Sequence, residues 1–111
     1  MMDKINDYLN EHREVDNLLG REYVKIRPRI ECADGFIVSV QASHTHYCTP
    51  RDNRGPYSHV ECGYPSEKDE LLIPFIEVRT DDPTSTVYPW VPVEVVEAVI
   101  EKHGGMKEQP R

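Results

Sequence analysis

Apolar residues recur at three- and four-residue steps near both ends of this chain, and at two-residue steps in its middle. Near the N-terminus, Ile5, Tyr8, Leu9 and His12 follow Asp3, a residue suited to capping, and predict a short helix. The spacing continues weakly through Val15, Leu18 and Leu19 to Gly20, a stop signal. Near the other end, Val93, Val96, Val99 and Ile100 predict a helix over 92–103, opened by Pro92 and closed by Gly104-Gly105. Residues 22–32 alternate instead. Val24, Ile26, Pro28, Ile30 and Cys32 fall on one face, with Tyr23, Lys25, Arg27, Arg29 and Glu31 on the other. Pro28 lacks a donor, so the strand is expected at a sheet edge or with a bulge.

The return strand runs from Phe36 towards Cys48. A three-residue loop, Ala33-Asp34-Gly35 with Gly35 left-handed, pairs Ile30 with Val38, Pro28 with Val40 and Ile26 with Ala42. That register keeps one face apolar throughout, whereas a two-residue turn would set arginines beside valine and alanine. A loop follows over 49–56, then a strand over 57–63. Ser66 to Asp69 resembles a capping box before a short helix ending near Pro74. A further strand is expected over 74–78 and a loop over 81–84. The elements add up to one α+β domain, residues 1–105, with an antiparallel sheet, an N-terminal and a C-terminal helix, and a flexible tail over 106–111.

Charge refines this picture. The net charge of −7 is uneven: residues 1–60 carry eight Lys/Arg against nine Asp/Glu, and residues 61–111 five against eleven. An acidic second half repels phosphate backbones, which argues against non-specific nucleic-acid binding. It includes Glu67, Asp69, Glu70, Glu77, Asp81, Asp82, Glu94, Glu97 and Glu101, a surface suited to a basic protein partner or simply to solubility. No apolar run is long enough to span a membrane, and the first residues lack the apolar core of a signal peptide. An odd count of three cysteines fits a reducing cytoplasm better than a disulfide framework. With 38% hydrophobic residues the core is small, so a homo-oligomer is expected.

The chemistry concentrates in residues 40–63. His44, His46, Cys48, His59 and Cys62 include metal-ligand types, and a His-x-His pair on a strand can share one ion. The pattern nevertheless favours no metal and no cofactor. Alternation continues the apolar face through Cys48, and His59 and Cys62 should point to opposite faces. Zinc or another metal is the lesser alternative. His46 with Glu61 is the candidate catalytic pair, able to move protons on a phosphodiester while an arginine holds the anion. The polar hairpin face supplies candidate ligand contacts. Lys25, Arg27, Arg29, Gln41 and Ser43 lie on it, Arg51 and Arg54 follow on the loop, and Tyr47 and Tyr57 are able to stack on a base. The plain alternative is a solvated sheet face.

Several segments together resemble a family of small proteins encoded by bacteriophages and prophages. They are Lys25-Ile26-Arg27-Pro28-Arg29, Asp34-Gly35-Phe36, Ser39-Val40-Gln41-Ala42-Ser43, His46-Tyr47-Cys48 with Pro50-Arg51, Val60-Glu61 with Gly63-Tyr64-Pro65-Ser66-Glu67, and Val87-Tyr88 with Val91-Pro92-Val93 running to His103-Gly104-Gly105. The family pattern keeps His-Tyr-Cys at 46–48 but not histidine at 44 or 59, which weakens a shared metal site. The resemblance implies an accessory role in the host cytoplasm during infection, such as countering host defence. The leading expectation is a protein that binds a small anionic nucleotide-type signal, with Arg27, Arg29 and Arg51 on its phosphates and His46 and Tyr47 at the pocket. Hydrolysis of the signal stays open. The alternatives are an acidic inhibitor of a host defence protein, such as a CRISPR effector, and a virion or assembly component.

Overall fold

The computed structural model describes residues 4–77 and 81–107. Helix α1 (Lys4–Glu11) leads into a hairpin, β1 (Val15–Leu18) and β2 (Arg21–Val24). A four-stranded antiparallel sheet follows, formed by β3 (Ile30–Glu31), β4 (Ile37–Gln41), β5 (His59–Gly63) and β6 (Val87–Pro92) in that order. Helix α2 (Val93–Lys102) completes an α+β fold. Among the described residues no helix is long and apolar enough to cross a membrane.

One face of the sheet makes the core. Cross-strand partners share a face, and Val40 pairs with Cys62, and Cys62 with Tyr88. These join Val38, Val60 and Val91 under the buried stripes of both helices: Ile5, Tyr8 and Leu9 from α1, and Val96, Val99 and Ile100 from α2. The Glu97 carboxylate of α2 accepts the Ile5 amide at 2.8 Å, adding negative charge at the first turn of α1.

The β3–β4 hairpin has the expected register, Ile30 opposite Val38, with Gly35 at φ 96° in the loop. The pairing stops there. Ile26 is 70% exposed and Arg27 is 2% exposed, the reverse of the alternation. In place of a strand, the Gln41 side-chain amide bonds both the N–H (2.9 Å) and the carbonyl (3.0 Å) of Arg27. The inward guanidinium donates to Leu9 O at the end of α1 and to Ala42 O. Carbonyls left open by a helix terminus are natural partners for a cation.

Other expectations are corrected. Val15 and Leu18 lie in a hairpin, not a helix continuation, because Leu19 and Gly20 both take positive φ and make a two-residue turn. The expected helix after Ser66 does not form. Ser66 Oγ accepts the Ile37 amide, and Asp69 turns inward. Residues Ile73–Phe75 form a 3-10 turn where a strand was expected, and Val78 of that strand lies outside the described residues, as does the capping Asp3. Strand β6 has no counterpart among the predicted elements. Its two prolines are tolerated because it is an edge strand. Met106 and Lys107, expected in a flexible tail, are paired: Met106 bridges Cys32, and the Lys107 amide donates to Glu31 O; residues 108–111 of that tail lie outside the described residues.

Helix α2 is anchored at its C-terminus. His103 is 6% exposed and stacks on Phe36 at 3.9 Å and 5°. Its Nδ1 lies 2.7 Å from Asp34 and its Nε2 2.8 Å from Asp69, which also meets Lys102 at 3.1 Å. Gly104, at φ 92°, is required by close approach as well, since a Cβ there would lie 2.9 Å from that of Ala33.

Candidate functional site

The face of the sheet away from the core carries Ser39 and Gln41 of β4, Glu61 and Gly63 of β5, and Val87 of β6. Ile26, Arg27, Arg29, His46 and Tyr64 wall this face to leave an open cavity of about 420 Å³. The volume falls in the range of small-molecule sites.

His46 and Glu61 meet here, with Nε2 and Oε1 4.0 Å apart. The other ring nitrogen of His46 is 2.7 Å from Ser43 Oγ, which orients the ring. Attraction alone would raise the histidine and lower the glutamate. Both move the other way. Burial, then the positive charges of Arg27, His44 and Arg51, push His46 down. Burial and Glu77 push Glu61 up, against the opposing Tyr47 amide and Arg51. Desolvation outweighs pairing, so both groups drift towards their neutral forms, as suits proton transfer.

The backbone at this site is strained. Among the described residues three non-glycines have φ in the left-handed region: Leu19 in the hairpin turn, Tyr64 (49°) and Trp90 (50°). Tyr64 lines the cavity and is 51% exposed. Trp90 sits in a bulge of β6, where Pro89 and Trp90 together oppose Glu61 alone. Its amide donates to Tyr47 O at 3.1 Å, and its ring lies 5.0 Å from that of Tyr47 at 41°. Arg51 stands 5.3 Å from the Tyr47 ring centre, close enough for a cation–π contact. Left-handed backbone costs such residues about 1–3 kcal/mol each. Trp90 is 47% exposed, so burial does not fully offset that cost.

The structure gathers some predicted site residues and scatters others. Arg27, Arg29, Gln41, His46 and Glu61 line the cavity. The Arg29 guanidinium donates to Tyr64 O. Gln41 and Ser43 are buried and occupied internally, Gln41 by Arg27 and Ser43 by Thr45 and His46. Lys25 is exposed, and its amide donates to Glu14 O. Tyr57 is a core residue whose hydroxyl donates to Asp52 O, so its ring is not available for stacking. Arg54 lies beside Tyr57 on a separate cavity under α1.

The metal candidates are dispersed. His44 is exposed and bonded to Asn53, while His59 Nδ1 is 2.8 Å from Ser58 Oγ. Cys48 is buried and donates to Ser43 O. Cys62 lies on the core face, with burial pushing its thiol far up. Among the described residues no three of His, Cys, Asp and Glu are grouped as a metal would require. Trp90 and Tyr64 escaped the sequence reading, although a single tryptophan set between prolines at 89 and 92 was the available signal. Comparisons with protein-family models, with characterised proteins and with solved structures give no match.

Proposed function

We propose that the protein binds a small anionic ligand of nucleotide type on the outer face of its sheet. The phosphates lie in the cavity beside Arg29, in the field of buried Arg27, and the base lies against Tyr47 and Trp90. The observation that carries this reading is a pair of exposed aromatics in left-handed backbone near Glu61: Tyr64, just past the end of β5, and Trp90, in the β6 bulge opposite Glu61. Strain of this kind persists where the surroundings enforce it, often at ligand sites. Aromatic faces stack on any base, and guanidinium forks suit phosphate. The His46–Glu61 pair adds the means to move a proton if the ligand is also cleaved. The resemblance of residues 25–67 and 87–105 to phage-encoded proteins supports a counter-defence setting.

Isothermal titration with a panel of cyclic and linear nucleotides tests this reading. Saturable heat is expected for at least one, lost in Trp90→Ala and Arg29→Ala. Flat titrations across the panel would remove the reading. His46→Asn and Glu61→Gln should bind the same nucleotide, and loss of turnover in both would make the protein an enzyme.

Binding to a host defence protein is the second reading, and a specific surface favours it. Leu18 and Leu19 at the β1–β2 hairpin tip are 63% and 95% exposed, and Ile26 is 70% exposed. The acidic surface is less free than the sequence suggests. Glu97 holds the first turn of α1, Asp69 is buried against His103, and Asp82 accepts from Thr84 and Ser85. Under this reading Leu19→Asp abolishes inhibition of the defence complex and leaves nucleotide titrations unchanged.

A further inference from the structure

We propose that the cavity between α1 and the 53–57 loop is a second binding site, for a small phosphorylated molecule held by its phosphate. This cavity, of about 400 Å³, is lined by three guanidinium groups, Arg13, Arg27 and Arg54, against one carboxylate, Asp7. Even with Glu22 counted as the partner of Arg13, the cavity keeps a positive surplus in a chain of net −7. A positive surplus of this kind attracts a phosphate monoester, which is anionic near neutral pH.

The cations are held in place but incompletely satisfied. Arg27 is almost wholly buried, and among the described residues no carboxylate lies within ion-pair distance of it. Its bonds go to two carbonyls, Leu9 O and Ala42 O. Arg13 Nε donates to Asn53 O at 2.9 Å, which fixes the group against the loop. Its Nη2 is buried with no hydrogen-bond partner among the described residues, although the half-exposed Glu22 carboxylate pairs with it at 3.6 Å. Burial, and to a lesser degree the nearby Arg13 charge, disfavours the charge on Arg27. A buried cation without a counter-charge is unfavourable, and a bound anion relieves both the desolvation and the repulsion.

The walls are preorganised. The Asn6 side chain bonds the backbone of Tyr57 on both sides, at 2.6 and 2.9 Å, pinning the loop to α1 before any ligand arrives. No exposed aromatic lines this cavity, since the Tyr57 ring is buried, so recognition falls on the phosphate rather than on a base. A guanidinium fork binds a tetrahedral oxyanion through two oxygens at once, which a lysine would not.

The site shares only Arg27 with the outer-face cavity, and Trp90 reports on the other site, so either assignment can fail without the other. The test is the thermal midpoint of the protein at fixed ionic strength, with millimolar inorganic phosphate exchanged for chloride. Phosphate is expected to raise the midpoint in the wild type and in Trp90→Ala, and to lose that effect in Arg54→Gln and Arg13→Gln. Arg54 is exposed, so its variant should fold normally even if Arg13→Gln does not. A sugar phosphate should bind at least about tenfold more tightly than inorganic phosphate. No phosphate effect, or an equal effect in Arg54→Gln, overturns the site. Equal affinity for the two probes overturns the assignment to a phosphorylated molecule.

Discussion

Two histidine–carboxylate groupings in this protein behave in opposite ways. At the end of α2, the two ring nitrogens of His103 lie 2.7 and 2.8 Å from the carboxylates of Asp34 and Asp69. On the outer sheet face, His46 stands 4.0 Å from Glu61 with its other nitrogen on a serine. Burial works against the charge on His103 too, but the two carboxylates outweigh it and its proton is held more firmly than usual. Asp69 also ends lower than usual, because His103, the Leu71 amide and Lys102 outweigh the cost of burial. At His46 no such contact forms and desolvation prevails. The first grouping is a clamp, and the second is left loosely coupled. Distances shorter by more than an ångström decide which.

Breaking the clamp has the largest expected effect. His103→Ala leaves buried Asp69 with only Lys102 and the Leu71 amide and removes the stack on Phe36, so it should cost about 2–3 kcal/mol, read as a lower midpoint in urea unfolding. His46→Asn, which removes no ion pair, should change stability by less than about 1 kcal/mol. Comparable losses in the two variants would contradict the distinction.

The pH dependence sharpens it. The folded-state value of His103 is raised, so its contribution is complete below its unfolded value of about 6.5 and is lost as pH rises through the folded value. The values of Asp34 and Asp69 are lowered, so theirs is complete above about 3.9 and is lost as pH falls through the folded values. The clamp therefore acts fully between about pH 4 and 6.5, with margins extending beyond each end. Proton NMR of the two rings should show His103 titrating above the ordinary histidine value and His46 below it.

Smaller effects follow from the backbone. Gly104→Ala meets both a positive φ and the Ala33 side chain, and should cost about 1–2 kcal/mol by loosening the clamp from its loop. Trp90→Gly relieves a left-handed tryptophan while losing its packing on Tyr47. Its stability should stay within about 1 kcal/mol of wild type while ligand binding is lost. A large loss of stability would make Trp90 a structural residue.

How much of this was legible depended on whether local or distant partners decided each element. Helix α2 and its glycine stop could be read because Val93, Val96, Val99 and Ile100 share one buried stripe. The Ile30–Val38 register was legible because only one register keeps the hairpin face apolar. Distant partners overrode the rest. Arg27 follows the polar rhythm of its segment, yet it turns inward to carbonyls at Leu9 and Ala42. Ser66 and Asp69 look like a helix start, but the Ile37 amide and His103 take them. His46 and Glu61 stood out as residue types. What could not be read was that one histidine would be clamped and the other left free, since that rests on contacts 34 to 69 residues apart.

Because Trp90 is the single tryptophan, its fluorescence reports directly on the proposed base-stacking surface. The most direct measurement is a titration of that emission with the nucleotide panel, beside inorganic phosphate at matched ionic strength. The account predicts saturable quenching by at least one nucleotide, abolished in Tyr47→Ala, and none by phosphate alone. Emission unchanged across the panel, or equal quenching by phosphate, would contradict a nucleotide-type ligand seated against Trp90.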